Sequence, residues 1–269
     1  MAGVSTATPE GREFKGITLA NIPAFPAVVL RVLDIVSQDE TDFALLVREI
    51  TSDATLSAQV LRLANSPLFG PRYPVKSVLH ALAVLGVRRL TGLVLTLSMS
   101  RFLKRASVGD LMRRSWRHNL ACALAAKEFA HSFGRDANEA YNAGLFHDAG
   151  RLAFLIVDPR FYQTIAGCQV DLREMELAHF GVDHCDAGGW VIEQWHLPEA
   201  FAEVARHHHA PQPENGELTM LVNASCAVAN RLGYSVVLGN AGEIEVDVND
   251  NLCSSIADFI DSLEREYKI

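Results

Sequence analysis

Six positions carry the residue types and spacing of a metal-ligating or acid–base set: His118, His147, Asp148, His184, His208 and His209. Neutral imidazole nitrogens suit iron, zinc or nickel, and a carboxylate supplies negative charge that a divalent cation needs, or orients a water for attack. Each histidine belongs to an apolar stripe, because residues three and four apart share one helix face. His118 stripes with Cys122, Ala125 and Phe129, the pair His147-Asp148 follows Ala140 and Gly144, and His184 leads to Gly188, Val191 and Trp195. Phe201, Val204 and Ala205 precede His208, with His209 directly beyond. Taken singly, each histidine is most simply a core imidazole bonded to a backbone carbonyl. Taken together, several imidazoles and a carboxylate in one helical core each cost desolvation unless a shared ion or anion satisfies them. Three successive residues point in three directions, so at most two of His207, His208 and His209 share a site, and His207 is expected to face solvent. His80, His131, His179 and His196 fit no common stripe and read as surface or capping residues.

Helical periodicity predicts the elements that position this set. Val28, Leu30, Val32, Leu33 and Val36 mark one helix, and Phe43, Leu46, Val47 and Ile50 a second. Asp53 caps a third, which ends at Ala64-Asn65-Ser66-Pro67, and two more follow with a break near Gly86. A polar break at Ser107–Asp110 is read as a lobe boundary. The expected layout is all-α: a tail over 1–16, a first lobe over 17–106, a second over 107–233, and a C-terminal loop and helix over 234–269 packing on the second. Val236–Asn251 is acidic and glycine-rich, a loop or brief hairpin, before an amphipathic helix through Ile256, Phe259, Ile260 and Leu263.

A composition 49% hydrophobic and 21% charged permits a full buried core. The formal charge of -8 opposes the neutralisation of many phosphates, so no nucleic-acid partner is expected. Leu90–Ser100, the longest apolar run, is flanked by arginines and falls short of the roughly 20 residues of a membrane span. The start, Met1–Lys15, has no hydrophobic run before a cleavage site, so a cytoplasmic protein is expected, with no membrane partner. Five cysteines without a CxxC pair suit reduced, packed thiols. Arginines and lysines from Arg88 to Arg117 form the main basic concentration, read as a solvated face or as a groove for a phosphorylated ligand or acidic partner.

His118, His147-Asp148, His184-x-x-x-Gly188 and His208-His209 resemble the ordered ligand set of the HD superfamily, specifically its HD-GYP branch. The first lobe sharpens the match: Ile22-Pro23-Ala24-Phe25-Pro26, Leu61-Arg62-Leu63-Ala64-Asn65-Ser66 and Ala81-Leu82-Ala83-Val84-Leu85-Gly86 are similar to segments of HDOD domains, as is Tyr141–Leu152. The resemblance covers about Leu19 to Gly233 and implies two packed helical lobes, the second an HD-like bundle.

Departures from the catalytic pattern carry a functional expectation. Arg151 stands where catalytic relatives have a lysine shortly after the doublet, and a guanidinium cannot exchange a proton near neutral pH. The family's closing carboxylate would fall near Ser225 or Cys226, Arg114 replaces a glutamate seen one turn before the first histidine in some relatives, and the GYP segment is absent. One carboxylate is too few for a dinuclear centre. A single divalent ion of iron, zinc, nickel or manganese, held by His118, His147, Asp148 and His184 or His208, with Cys226 as an alternative soft ligand, is compatible with the pattern. The resemblance thus implies a stand-alone, non-catalytic bacterial signalling domain that binds signalling proteins or a small ligand, with a homodimer as one arrangement. The alternative is a metal-dependent phosphohydrolase of a nucleotide or cyclic dinucleotide, with Asp148 orienting the water and Arg151 beside it.

Overall fold

Aspartates begin many of the helices. Asp42, Asp53, Asp136, Asp171 and Asp183 each turn a carboxylate back onto backbone N–H groups of the first turn, satisfying donors that have no partner inside the helix. The computed structural model describes residues 13–14, 17–18, 22, 26–38, 40–66, 69–105, 109–165, 171–236 and 250–267. Its helices are α1 (Ala27–Ser37), α2 (Phe43–Thr51), α3 (Ala54–Ala64), α4 (Val78–Arg105), α5 (Asp110–Phe129), α6 (Ala137–Phe146) and α7 (Ala149–Val157). There follow α8 (Pro159–Ile165), α9 (Leu172–Phe180), α10 (His184–Gln194), α11 (Glu199–His207), α12 (Gly216–Ala229) and α13 (Asp250–Tyr267). The strands among the described residues are two-residue pieces, Glu13–Phe14 paired antiparallel with Ile17–Thr18. Part of the segment expected as a loose tail is therefore paired. The rest of that tail, most of the acidic stretch before α13 and residues 106–108 of the expected boundary lie outside the described residues.

The fold is all-α, as the periodicity predicts. One apolar cluster runs from Ile22 in the first half to Leu263 in α13, so the described helices of both halves share a core. Gly86 (φ 76, ψ 164) interrupts α4 at the predicted break, a left-handed φ that a β-carbon would disfavour. Beyond it, every residue from Leu90 to Ser100 is buried. This helix is long and apolar enough to cross a membrane; its second part is buried against α3, α6 and other helices, while Leu79 and Val84 in its first part are exposed. In the second half α5 lies against α6 and α12, and α10 against α7 and α11. The last helix buries Ile256, Ile260 and Leu263 and packs on α5, where Arg117 pairs with Asp261 and Glu264.

Two glycines set the helix spacings around the histidines. A β-carbon on Gly144 of α6 would lie 2.8 Å from Cα of Ala123 in α5, and one on Gly150 of α7 would lie 2.0 Å from the carbonyl oxygen of His184 in α10. Both contacts are with backbone, so neither can relax by a side-chain rotation. These approaches bring His118 to His147, and Asp148 to His184.

Candidate metal centre

The six predicted residues converge, each from a different kind of position. His118 projects from the middle of α5; His147 and Asp148 form the tight junction between α6 and α7; His184 opens α10; His208 and His209 follow the last turn of α11. His118, His147, Asp148, His184 and His208 are buried, and His209 is half-buried.

Hydrogen bonds to ring nitrogens fix how the imidazoles present themselves. Nδ1 of His147 donates to the Gly144 carbonyl at 2.7 Å and Nδ1 of His208 to the Ala205 carbonyl at 2.9 Å, which leaves both Nε2 lone pairs directed inward. Nε2 of His208 has no hydrogen-bond partner among the described residues. Nε2 of His147 lies 3.3 Å from Nε2 of His118, and the Cys226 thiol lies 3.5 Å from the same His118 nitrogen. Two nitrogens bound to one tetrahedral ion at about 2.05 Å stand roughly 3.3 Å apart, so this pair has the edge length of a metal site. Three overlapping sets could each hold an ion: His118, His147 and Cys226; His147, Asp148 and His208; and His184, Cys185, His208 and His209. The predicted residues are thus shared among adjoining sets, with His184 and His209 apart from His118.

Ion pairs occupy the other side of the cluster. Arg151, buried on α7, reaches Asp148 at 2.6 Å and approaches Nε2 of His184 at 3.3 Å. Burial alone would raise the Asp148 carboxyl, but Arg151 and the surrounding histidines hold it well below the usual carboxylate range. Glu176, fully buried on α9, accepts Nδ1–H of His184 at 2.5 Å, the His184 backbone N–H at 2.9 Å and the Tyr162 hydroxyl at 2.6 Å. Burial disfavours the His184 cation, yet Glu176 outweighs it and lifts His184 well above the ordinary imidazole value. The remaining imidazoles are pushed the other way. Burial and then His147 bring His118 down to about 3, and burial and then His184 bring His209 to about 2. Burial, reinforced by Asp148, raises the Cys226 thiol to about 12.

Glu176 and Cys185 belong to this arrangement and were not singled out from the sequence. Glu176 was legible: Leu172, Glu176 and Phe180, four residues apart, make one buried stripe on α9. Cys185 carries no such signal, since its neighbour His184 dominates the same turn. The expected place of the missing closing carboxylate is taken by Cys226, while Ser225 turns away to the Leu221 carbonyl. Arg114 is exposed and pairs with Asp110; His207 is half-buried beside Glu203.

Comparison with known proteins places this geometry. The HDOD domain family matches residues 22–211. An uncharacterised protein of Treponema pallidum (strain Nichols) is 24% identical over 195 residues, 70% of this chain and 38% of that protein, so the chain spans well under half of this relative's length. A "Putative phosphohydrolase" from Shewanella amazonensis SB2B has a similar structure, with TM-score 0.69 and 22% identity over 91% of this chain and 92% of that one. A "Putative signal transduction protein" from Marinobacter aquaeolei VT8 matches with TM-score 0.68 and 21% identity over 92% of this chain and 57% of that one. At these identities the structural likeness is one of fold. With the family match covering most of its length, the chain belongs to the HDOD domain family.

Proposed function

We propose that this chain is a non-catalytic HDOD regulatory module of bacterial cytoplasmic signalling, acting through binding of signalling proteins or a small ligand. The Asp148–Arg151 pair carries this reading: the carboxylate that would anchor a catalytic cation is neutralised, at 2.6 Å, by the protein's own guanidinium. Arg151 keeps its proton at every accessible pH. Glu176 is likewise engaged with His184 at 2.5 Å, so both buried carboxylates already have partners that the protein itself supplies. A dinuclear phosphodiesterase centre needs anionic ligands for two cations and a bridging hydroxide. The likeness to a protein named for signal transduction agrees with this reading.

A second reading, a metal-dependent phosphohydrolase, has one observation in its favour. The inward Nε2 atoms of His118 and His147, with Cys226 beside them, fit one transition-metal ion, and the protein from Shewanella amazonensis named a phosphohydrolase shares the fold. Either His118, His147 and Cys226 or His147, Asp148 and His208 would hold the ion, which when bound would supply Lewis acidity and an acidified water. The chain's own contribution is then positional: Gly144 and Ala205 carbonyls hold the His147 and His208 tautomers, and Arg151 holds Asp148.

Elemental analysis and turnover separate the readings. Protein purified without a metal-affinity tag is assayed for iron, zinc, nickel and manganese, and for hydrolysis of bis(p-nitrophenyl) phosphate and cyclic dinucleotides with each ion added. We expect no turnover under any of these conditions. Turnover that disappears in Asp148→Asn would establish the phosphohydrolase and overturn the regulatory reading.

A further inference from the structure

A cleft of about 260 Å³ lies away from the histidines, among α4, α5, α6 and α13, with Phe69, Leu93, Leu124, Tyr141 and Phe259 in its walls. Arg88, Arg89 and Lys127 supply its basic side. Arg88 is tied to Asp136 by an ion pair, whereas Arg89 and Lys127 make no salt bridge among the described residues. Lys127 is exposed; partial desolvation, and then the charge of Arg89, pull its ammonium below its ordinary value, so the two cations that line the cleft act on one another. Such mutual repulsion is relieved by an anion bound between them.

The floor is open because Gly92 has no side chain. A β-carbon there would find the Tyr141 ring at 3.6 and 3.7 Å and Oδ1 of Asn142 at 3.9 Å. The Tyr141 ring is fixed by a 2.7 Å bond between its hydroxyl and that of Thr96.

We infer that this cleft binds an aromatic phosphate of mononucleotide size, with the planar ring among Leu93, Tyr141 and Phe259 and the phosphate between Arg89 and Lys127. Aromatic walls favour a planar base. Cation pairs favour phosphate through charge-assisted bonds. Ligand sites commonly enclose about 300–1,000 Å³, and a cleft of about 260 Å³ fits one ring system and one phosphate, not two of each. This site is distinct from the histidine cluster and stands whichever reading of that cluster holds.

The test is calorimetric titration of the full chain with AMP and GMP, against adenosine, guanosine and inorganic phosphate. The variants are Arg89→Ala with Lys127→Ala, and Arg89→Glu, all surface changes whose folding is checked by circular dichroism; His209→Ala is the control in the histidine cluster. We expect a mononucleotide to bind, the nucleoside and inorganic phosphate each to bind at least about tenfold more weakly, and both cleft variants to lose about tenfold or more. His209→Ala should bind as the unaltered protein does. No mononucleotide binding at millimolar concentration, equal binding of nucleoside and nucleotide, unchanged affinity in the cleft variants, or loss confined to His209→Ala would each overturn the proposal.

Discussion

The two halves of the chain bury polar groups of different kinds. Among the described residues before residue 106 the buried polar side chains are the hydroxyls of Ser66, Thr91, Thr96, Ser98 and Ser100, and those of Thr91, Thr96 and Ser100 bond to carbonyls one helical turn back. After residue 109 they include His118, His147, Asp148, Arg151, Glu176, Asp183, His184 and His208. A hydroxyl can be satisfied by a carbonyl of its own helix, and of these only Thr96 also bonds a side chain of another helix, Tyr141. A buried ion requires a charged or polar partner, and His118, His147, His184 and Glu176 find theirs on other helices, so the second half is organised around a polar centre and the first mainly around apolar contact. Ionisable groups concentrated in one buried place are where function is to be sought.

Glycine substitutions break this comparison most sharply. Gly150→Ala drives a methyl into the α10 backbone, and we expect a loss of about 3 kcal/mol or more in urea unfolding, with the histidine cluster splayed. Gly92→Ala in the first half meets only ordinary contacts with Tyr141 and should be neutral or stabilising by up to about 1 kcal/mol. Comparable losses for the two would mean that α7 and α10 do not approach as closely as described.

Removing one partner of the buried ion pair comes next. Asp148→Ala leaves the Arg151 guanidinium uncompensated and should cost about 3–5 kcal/mol, while Asp148→Asn with Arg151→Met should recover much of that. Thr96→Val, a polar deletion in the first half, removes bonds to the Gly92 carbonyl and the Tyr141 hydroxyl and should cost about 1 kcal/mol. Equal effects of Asp148→Ala and Thr96→Val would remove the distinction between the halves.

Glu176→Gln weakens one side of the centre without emptying it. The amide still accepts from the Tyr162 hydroxyl but no longer balances His184, and a loss of about 1–3 kcal/mol is expected by denaturant titration. A neutral outcome would make Glu176 a spectator.

The smallest effect concerns Asp53, which caps α3 and bonds Arg101 at 2.7 Å. Burial would raise its carboxyl, but the Leu56 N–H and Arg101 together hold it below 3.8. A carboxyl depressed in the folded state stabilises fully above its unfolded pKa of about 3.9 and loses that contribution as the pH falls through the folded value. Asp53→Ala should therefore cost about 1 kcal/mol at pH 7, and that part of the deficit due to the carboxylate should vanish as acid protonates Asp53 in the unaltered protein.

The helices were legible because local rules decide them. Asp53 before an apolar run, Gly86 inside one and Pro67 after one have consequences within a few residues, and α3 and α4 begin, bend and end accordingly. The inward histidines were legible for the same reason, since helical periodicity fixes which face His118 or His184 shares with its apolar neighbours. The helix around Leu90–Ser100 illustrates the limit: the run itself is too short for a membrane span, the helix that carries it, Val78–Arg101, is long enough, and only the packing of other helices shows Leu90–Ser100 in a protein core.

By itself, the sequence determined an all-α chain of the HDOD family and named the imidazoles and carboxylate that meet inside it. Tertiary structure decided what those groups do to one another. That Glu176 arrives from α9 to hold His184, that Cys226 closes on His118 and that His118 meets His147 all depend on how α5, α6, α9, α10 and α12 approach, whereas the Arg151–Asp148 pair is a local contact three residues apart. Those distances rest on the absent β-carbons of Gly144 and Gly150 meeting backbone on neighbouring helices, a long-range contact that no local pattern encodes.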